Sequence, residues 1–166
     1  LVACTEFESR SKGYHDLAHA IRQVVHPSRI KADGEELFAR MMFNIFVSND
    51  DDHLRNHAFM RDPRLGGWHL SPLYDVVPRP GVAHERFLHL EVGEQGKLAT
   101  LDNALSRFAA FTPSRAKAVE IIRRRAGRLD LSVGEVGAWI PHVLYTHLVL
   151  LDYMGSRMPE PIVASP

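Results

Sequence analysis

Residues 44–60 read NIFVSNDDDHLRNHAFM, and they carry most of the information in this chain. An apolar segment ends here in three consecutive aspartates, and the chain turns apolar again after His57. Adjacent carboxylates repel one another, and a carboxylate that leaves water is costly to desolvate. Such a cluster indicates a helix cap, a divalent-cation site or a solvated acidic turn, and the neighbouring residues must distinguish these.

Length and composition exclude several classes of protein. The 166 residues suffice for one domain with its own core, or for one lobe of something larger. Lys and Arg equal Asp and Glu at 20 each, so net charge gives no general reason to expect nucleic acid or an anionic membrane as a partner. The single Cys4 excludes an internal disulfide and a cysteine-based zinc site, and it fits a reducing cytoplasm. Every apolar run is shorter than the roughly 20 residues that span a bilayer.

The two ends of the sequence carry expectations of their own. The first residues, LVACTEFESR, contain neither an initiator Met nor a signal peptide. We therefore expect the chain to be part of a longer protein. The last residues, 159–166, are rich in proline and small side chains, and they are expected to form a disordered tail.

Hydrophobic periodicity predicts two helices before the aspartates. Residues 14–26 place apolar side chains at helical spacing, and Pro27 follows them. Asp33 is predicted to cap a second helix. The apolar stripe of that helix is so wide that we expect it to be buried on most sides.

The period changes after the aspartates. HAFMRD and WHLSPL flank PRLGG, which predicts a β-hairpin with a glycine turn. RFLHLEVG, residues 86–93, alternates apolar and polar side chains and is predicted to be a short strand. From residue 100 the chain is predicted to be helical, with Thr100 as the first cap. The predicted fold is mainly α with a small β-hairpin insertion.

The spacing between Asp51 and Asn56 separates one aspartate from its neighbours. Protein kinases have the same Asp-x-x-x-x-Asn spacing in their catalytic loop. Asp50 and Asp52 lie six and four residues before Asn56, so the spacing selects Asp51. In such a loop the carboxylate accepts or orients the proton of the attacking hydroxyl, while the amide oxygen reaches the magnesium that bridges the phosphates.

A second carboxylate follows the predicted hairpin. Asp75 lies in SPLYDVVP, an apolar segment bounded by prolines, where a charge is costly unless a cation compensates it. Kinases also place a second metal-binding carboxylate after a hairpin that follows the Asn. Asp51, Asn56 and Asp75 thus form a set of hard oxygen ligands of the kind that Mg²⁺ prefers.

Two motifs, SNDDDHLRNHAF and GWHLSPLYDVVP, together resemble the C-terminal lobe of the HipA family. These are serine/threonine kinases of bacterial toxin–antitoxin systems, whose fold is related to the protein and lipid kinases. The family pattern runs approximately N-x-D-x-H-x-K-N, then a hairpin, then L-x-P-x-Y-D. The matching positions are Asn49, Asp51, His53, Asn56, Leu70, Pro72, Tyr74 and Asp75. Arg55 stands where the family usually has Lys, which keeps the charge but changes its reach and geometry.

The resemblance implies a fold, cofactors and partners. Residues 1–158 would form a protein-kinase-like C-terminal lobe that uses ATP and Mg²⁺ to phosphorylate a protein on Ser or Thr; the likeness itself runs from about residue 14 to about residue 155. The family's N-terminal lobe, with its phosphate-binding loop and lysine, has no counterpart here, so we expect this chain alone to be inactive. A small helix-turn-helix antitoxin is the second expected partner, with DNA reached only through it, and no membrane partner is expected.

The same resemblance implies roles for individual residues. Asp51 would be the catalytic carboxylate, and Asn56 and Asp75 would bind Mg²⁺. Arg55 would face the phosphate charge. The side chains that would lie against the nucleotide are His53, Arg55 and Tyr74.

Two alternatives belong to other functional classes. A catalytically silent kinase-like module would act by binding, and Arg55 together with the missing lobe favours it. A metal-dependent phosphodiesterase would use the cluster at 50–53, but it leaves the Asp51–Asn56 spacing and the Asp75 motif as accidents. His53 and His57 also have the i, i+4 spacing of a zinc pair, yet no Glu follows His53 as a metalloprotease requires.

Overall fold

The computed structural model describes residue 9 and residues 11–78 and 86–126. The chain divides into two units with the boundary after Ile122, and the description below concerns the first unit. The tail expected at 159–166 and the helices predicted beyond residue 126 lie outside the described residues. No helix in the described part of the chain is both long and apolar enough to cross a membrane.

The described elements are mainly helical, and one small hairpin interrupts them, as predicted. The helices are α1 (Tyr14–Val24), α2 (Ile30–Val47), α3 (Leu101–Ser106) and α4 (Arg115–Ala126). The hairpin strands are β1 (Phe59–Asp62) and β2 (Gly67–Leu70), and 3-10 turns occupy Leu54–Asn56 and Phe108–Ala110. The last residues of α4 lie beyond the boundary between the units.

Helix α2 is the centre of the core. Nearly all of its side chains from Leu37 to Val47 are buried, which confirms the prediction that this helix is covered on most sides. Leu17 and Ile21 of α1 belong to the same buried cluster, as does Leu90 of the later extended segment. Burial of one such side chain stabilises the fold by about 1.5–3 kcal/mol, so α2 is a firm base for the loop that follows it.

The hairpin is antiparallel, and it is joined to both early helices. Phe59 pairs with Leu70, and the turn passes through Gly66 at a φ of 68°. The main-chain N–H of His26, just after α1, donates to the carbonyl of Trp68 at 2.8 Å. The hairpin therefore has a fixed position relative to the helices.

Asp33 does not cap α2, and that prediction is wrong. The helix begins at Ile30 with Arg29 as its N-cap, and Asp33 lies inside the first turns with 1% of its surface exposed. Its Oδ2 accepts the main-chain N–H of Leu70 at 2.7 Å, and its Oδ1 accepts from Arg29 at 2.9 Å. A buried N–H at the end of β2 needs an acceptor, and Asp33 supplies it.

The segment predicted as a strand at 86–93 is extended but pairs only at single points. Leu88, Leu90 and Val92 are buried as the alternation predicts. Among the residues that the structure describes, its pairing is limited to isolated bridges, such as the one between Gly13 and Glu91, so the segment is not a regular strand. Alternation reports which face is buried, whereas a ladder also requires a continuous partner.

Asn103 fixes the end of that segment against α3. Its Oδ1 accepts from Gln95 at 2.7 Å, and its Nδ2 donates to the carbonyls of Gly96 and Leu98. The Oγ1 of Thr100 accepts from the main-chain N–H of Asn103 at 3.2 Å, which confirms Thr100 as the cap of α3.

Candidate functional site

The end of α2 sets the direction of the loop that carries the aspartates. Ser48 has a φ of 56°, and its N–H donates to Ile45, while Asn49 donates to the carbonyl of Asn44 at 3.0 Å. This is the hydrogen-bond pattern of a Schellman motif, which closes a helix with its own backbone. Arg86 donates to the Ser48 hydroxyl at 2.6 Å and holds the turn from outside. The aspartates are therefore not needed to end α2.

The three aspartates point to different surroundings. Asp50 and Asp51 are exposed, whereas only 1% of the surface of Asp52 is exposed. The Asp52 carboxylate is therefore separated from solvent while the other two are not, and among the described residues the three do not form a metal-holding group of the kind that a phosphodiesterase site at 50–53 would need.

The metal-binding alternatives can be compared with the positions of the side chains. Within residues 11–78 and 86–126, and at residue 9, no group of three or more His, Cys, Asp or Glu side chains could hold a metal ion. His57 faces Asp52 instead of pairing with His53, as described below. A magnesium set that includes an amide oxygen, such as Asn56 with Asp75, differs from such groups in its ligand chemistry.

Asn56 connects the two motifs that the sequence singles out. It lies in the 3-10 turn Leu54–Asn56 and is buried. Its Nδ2 donates to the main-chain carbonyl of Asp51 at 3.1 Å and to that of Asp75 at 3.3 Å. Because carbonyl oxygens only accept, the amide nitrogen must face them, and this fixes the orientation of the amide. The Asn56 side chain thus contacts the backbones of the two aspartates that the sequence singles out with it.

The Asp75 segment is held in an uncommon backbone conformation. Asp75 has a φ of 54°, in the left-handed region that residues other than Gly, Asn and Asp seldom adopt. Arg40, buried in α2, donates to the carbonyl of Ser71, and the Ser71 N–H donates to Ala58 at 2.8 Å. The segment is thereby attached to α2 and to the hairpin before it reaches Asp75.

The residues predicted to lie against the nucleotide occupy the same loop region. Tyr74 is 41% exposed, and its hydroxyl donates to the main-chain carbonyl of Arg55 at 2.6 Å. The Arg55 side chain is exposed. His53 is half-buried, with its ring edge-on to His89 at 5.9 Å between centroids. Tyr74 therefore also links the second motif to the first, and the contacts of all these residues with nucleotide stay a prediction.

A buried polar network lies directly beneath this loop. Both oxygens of the Asp52 carboxylate are used: Oδ2 accepts the hydroxyl of Tyr14, and Oδ1 accepts from Nε2 of His57 at 2.9 Å. Asn44 donates to the Tyr14 hydroxyl at 3.0 Å, and the Tyr14 and His57 rings meet edge-on at 5.7 Å. We call Tyr14, Asn44, Asp52 and His57 the buried network. It compensates the carboxylate that would otherwise be costly to bury.

The buried network was only partly visible in the sequence. Asp52 and His57 are five residues apart, the same separation as Asp51 and Asn56, so a second i, i+5 pair could have been noticed. Tyr14 lies 38 residues before Asp52, and no local signal joins two residues so far apart.

Comparison with known families places this site in a recognised domain. The family model described as the HipA-like C-terminal domain matches residues 2–132, a range that contains all of the helices and loops discussed above. A search of curated proteins gave no match. Since the matched range covers more than half of the sequence, the chain belongs to the family of HipA-like C-terminal domains.

Proposed function

We propose that this chain is the kinase-like C-terminal lobe of an ATP- and Mg²⁺-dependent serine/threonine protein kinase. One observation carries the proposal: the Asn56 side chain joins the backbones of Asp51 and Asp75. Phosphoryl transfer depends chiefly on positioning and on charge stabilisation, and an amide that joins the backbones of two aspartates supports such positioning.

Asn56 and Asp75 are the residues that would hold magnesium. The two carbonyls fix Nδ2 of Asn56, so its Oδ1 is the amide atom oriented away from them. The Asp75 side chain is exposed, and carboxylate and amide oxygens are ligands that Mg²⁺ accepts. When bound, the ion would neutralise charge on the transferred phosphoryl group.

Asp51 is the residue that would accept or orient the proton of the substrate hydroxyl. Its side chain is exposed, as a group that must meet an incoming protein substrate has to be. Its main-chain carbonyl is fixed twice, by the amide of Asn56 and by the N–H of His53 at 3.0 Å. The backbone of Asp51 is therefore held in place while its side chain stays accessible to solvent.

The proposal extends to partners. Membership of the HipA-like family supports a toxin–antitoxin setting, with a Ser/Thr-containing protein as substrate and a helix-turn-helix antitoxin as binding partner. The single cysteine is compatible with a cytoplasmic site of action. ATP would be shared with residues outside this chain, and His53, Arg55 and Tyr74 would contribute this chain's contacts.

A catalytically silent kinase-like module is the second candidate. The specific observation in its favour is Arg55, which stands where the family usually has Lys. A guanidinium is planar and bulkier than an ammonium group, so it presents its charge to a phosphate differently. Such a module would bind a partner protein without transferring phosphate.

A phosphotransfer assay on the complete gene product tests the proposal. Wild type should incorporate γ-phosphate into itself or a protein acceptor, and Asp51→Asn should lower the rate by about 10²–10⁴-fold because it removes the proton acceptor. Asp50→Asn makes the same chemical change at the neighbouring exposed aspartate and should retain most of the activity. Equal rates for wild type and Asp51→Asn would refute the proposed role, and transfer by neither would support the silent module.

A further inference from the structure

Two pairs of residues span the same loop, displaced by one position. Asp51 and Asn56 are the proposed functional pair, and Asp52 and His57 are their immediate neighbours. The first pair is joined through the Asn56 amide and the Asp51 carbonyl, and the second through Nε2 of His57 and Oδ1 of Asp52 at 2.9 Å. One pair lies toward solvent at Asp51, while the side chains of the other are 1% exposed.

The inner pair closes the loop. Between its members, the N–H of Asn56 donates to His53 at 2.9 Å and that of His57 donates to Leu54 at 3.2 Å, which forms a single 3-10 turn. One such turn has few hydrogen bonds of its own and is a weak constraint. The Asp52–His57 hydrogen bond adds a constraint across the base of the turn, where water does not compete for it.

The inner pair is also attached to the two core helices. Tyr14 begins α1 and Asn44 belongs to α2, and both are fully buried. The Tyr14 hydroxyl donates to Asp52 and accepts from Asn44. Asp52 is therefore linked by hydrogen bonds to both helices. A displacement of Asp52 would move Asp51, which shares a peptide bond with it.

We propose that Asp52 and His57 are positioning residues: their hydrogen bond holds Asp51 and Asn56 at the separation that phosphoryl transfer needs. This inference rests on the proposed kinase function and deepens it, because it adds to that site two residues that position its functional groups. Neither residue contacts the reacting atoms. Residues that orient the groups around a metal typically change affinity or activity by about 10–100-fold when they are altered.

A merely structural role is the competing explanation, and paired variants separate the two. His57→Phe keeps an aromatic ring against Tyr14 but removes the donor to Asp52, which leaves a buried carboxylate short of a partner. Combining it with Asp52→Asn removes that charge and keeps an acceptor for the Tyr14 hydroxyl. If the pair serves stability alone, the double variant should regain stability and activity together.

The positioning role predicts a different result for the same double variant. Its unfolding midpoint should return toward wild type, whereas kcat should stay about 10–100-fold low with little change in KM for the protein acceptor. His57→Gln, whose amide nitrogen can reach the place of Nε2, should recover most of kcat. A second readout is isothermal titration of the complete gene product with magnesium and a non-hydrolysable ATP analogue, for which the double variant should bind several-fold more weakly.

The outcomes distinguish this inference from the proposed function. If wild type transfers phosphate and the double variant matches it in kcat and in analogue binding, the positioning role is overturned and the kinase function stands. If wild type neither transfers phosphate nor binds the analogue, the kinase function fails and the inference fails with it. If His57→Phe is too unstable to purify, the double variant alone decides between these outcomes.

Discussion

The side-chain amide of Asn56 donates to the main-chain carbonyl of Asp75 at 3.3 Å, across 19 residues of sequence. This hydrogen bond fixes where the chain returns after the hairpin. A second bond of the same kind joins the Tyr74 hydroxyl to the carbonyl of Arg55 at 2.6 Å. The two motifs of the family are thus held together by side chain to backbone contacts, so substitutions at Asn56 should affect both motifs.

Replacement of Asn56 by Asp should be at least as harmful as replacement by Ala. Asp has nearly the same shape, but it would place a carboxylate oxygen against the carbonyls of Asp51 and Asp75. These two hydrogen bonds are partly buried, so loss of their donor should cost up to about 1–3 kcal/mol, and the repulsion adds to this. We expect urea denaturation to show a lower free energy of unfolding for Asn56→Asp than for wild type, together with loss of phosphotransfer in the complete gene product. A variant as stable as wild type would contradict the assigned amide orientation.

Removal of the Asp33 carboxylate should destabilise the fold through the hairpin. Asp33→Ala leaves the buried N–H of Leu70 without its acceptor, and hydrogen bonds to charged groups are worth about 1.5–3 kcal/mol. Asp102 is a matched control, because it is an exposed aspartate in the first turn of α3, where such charges contribute about 0.3–1 kcal/mol. Thermal unfolding should therefore rank Asp33→Ala well below Asp102→Ala. Equal unfolding midpoints for the two variants would argue against a stabilising hydrogen bond between Asp33 of α2 and Leu70 of β2.

The mistaken cap at Asp33 shows where sequence patterns stop being informative. Asp is among the preferred N-cap residues, so an Asp before an apolar stripe is sensibly interpreted as a cap. The Asp33 carboxylate instead accepts the main-chain N–H of Leu70, 37 residues later, and the residues around Asp33 do not indicate this contact. The extended segment at 86–93 has the same limit: alternation identified the buried Leu88 and Leu90, but it carried no information about a pairing partner.

The proximity of Asp51 and Asn56 was predictable for the opposite reason, whereas their roles stay predictions. Asp51 and Asn56 are only five residues apart in one short loop, so their separation in the sequence largely determines their distance in space. Asp75 required a motif, because a hairpin separates it from Asn56. The contact of Tyr14 with Asp52 could not be predicted, since a tyrosine at the start of an amphipathic helix has the pattern of an ordinary core residue. Its hydroxyl acquires a role only when α1 is packed against Asp52.

Because Asp75 has a left-handed conformation, replacing it by Gly should preserve or raise stability while abolishing the proposed function. Gly adopts a φ near 54° without the steric cost that a Cβ brings, so Asp75→Gly should be as stable as wild type or more stable by up to about 1 kcal/mol. Asp75→Ala should be less stable than Asp75→Gly, because it keeps the Cβ without the polar side chain. Both should abolish phosphotransfer in the complete gene product, since each removes the proposed magnesium ligand. Calorimetry beside the kinase assay measures both, and an active Asp75→Gly variant would remove Asp75 from the proposed mechanism.

The hydrogen bond between Tyr14 and Asp52 should be visible as a coupling energy. In a double-mutant cycle of Tyr14→Phe and Asp52→Ala, each of which removes the hydrogen bond, the two changes should be non-additive by about 0.5–3 kcal/mol, because the side chains are buried and in direct contact. Tyr74→Phe provides the control: the Tyr74 hydroxyl donates to a main-chain carbonyl at an exposed position, and the effects of Tyr74→Phe and Asp52→Ala should add within about 0.5 kcal/mol. Urea denaturation of wild type, the three single variants and the two double variants gives both coupling energies. Additivity in the Tyr14 cycle would mean that Asp52 keeps its place without α1, and α1 would then have no part in holding the loop.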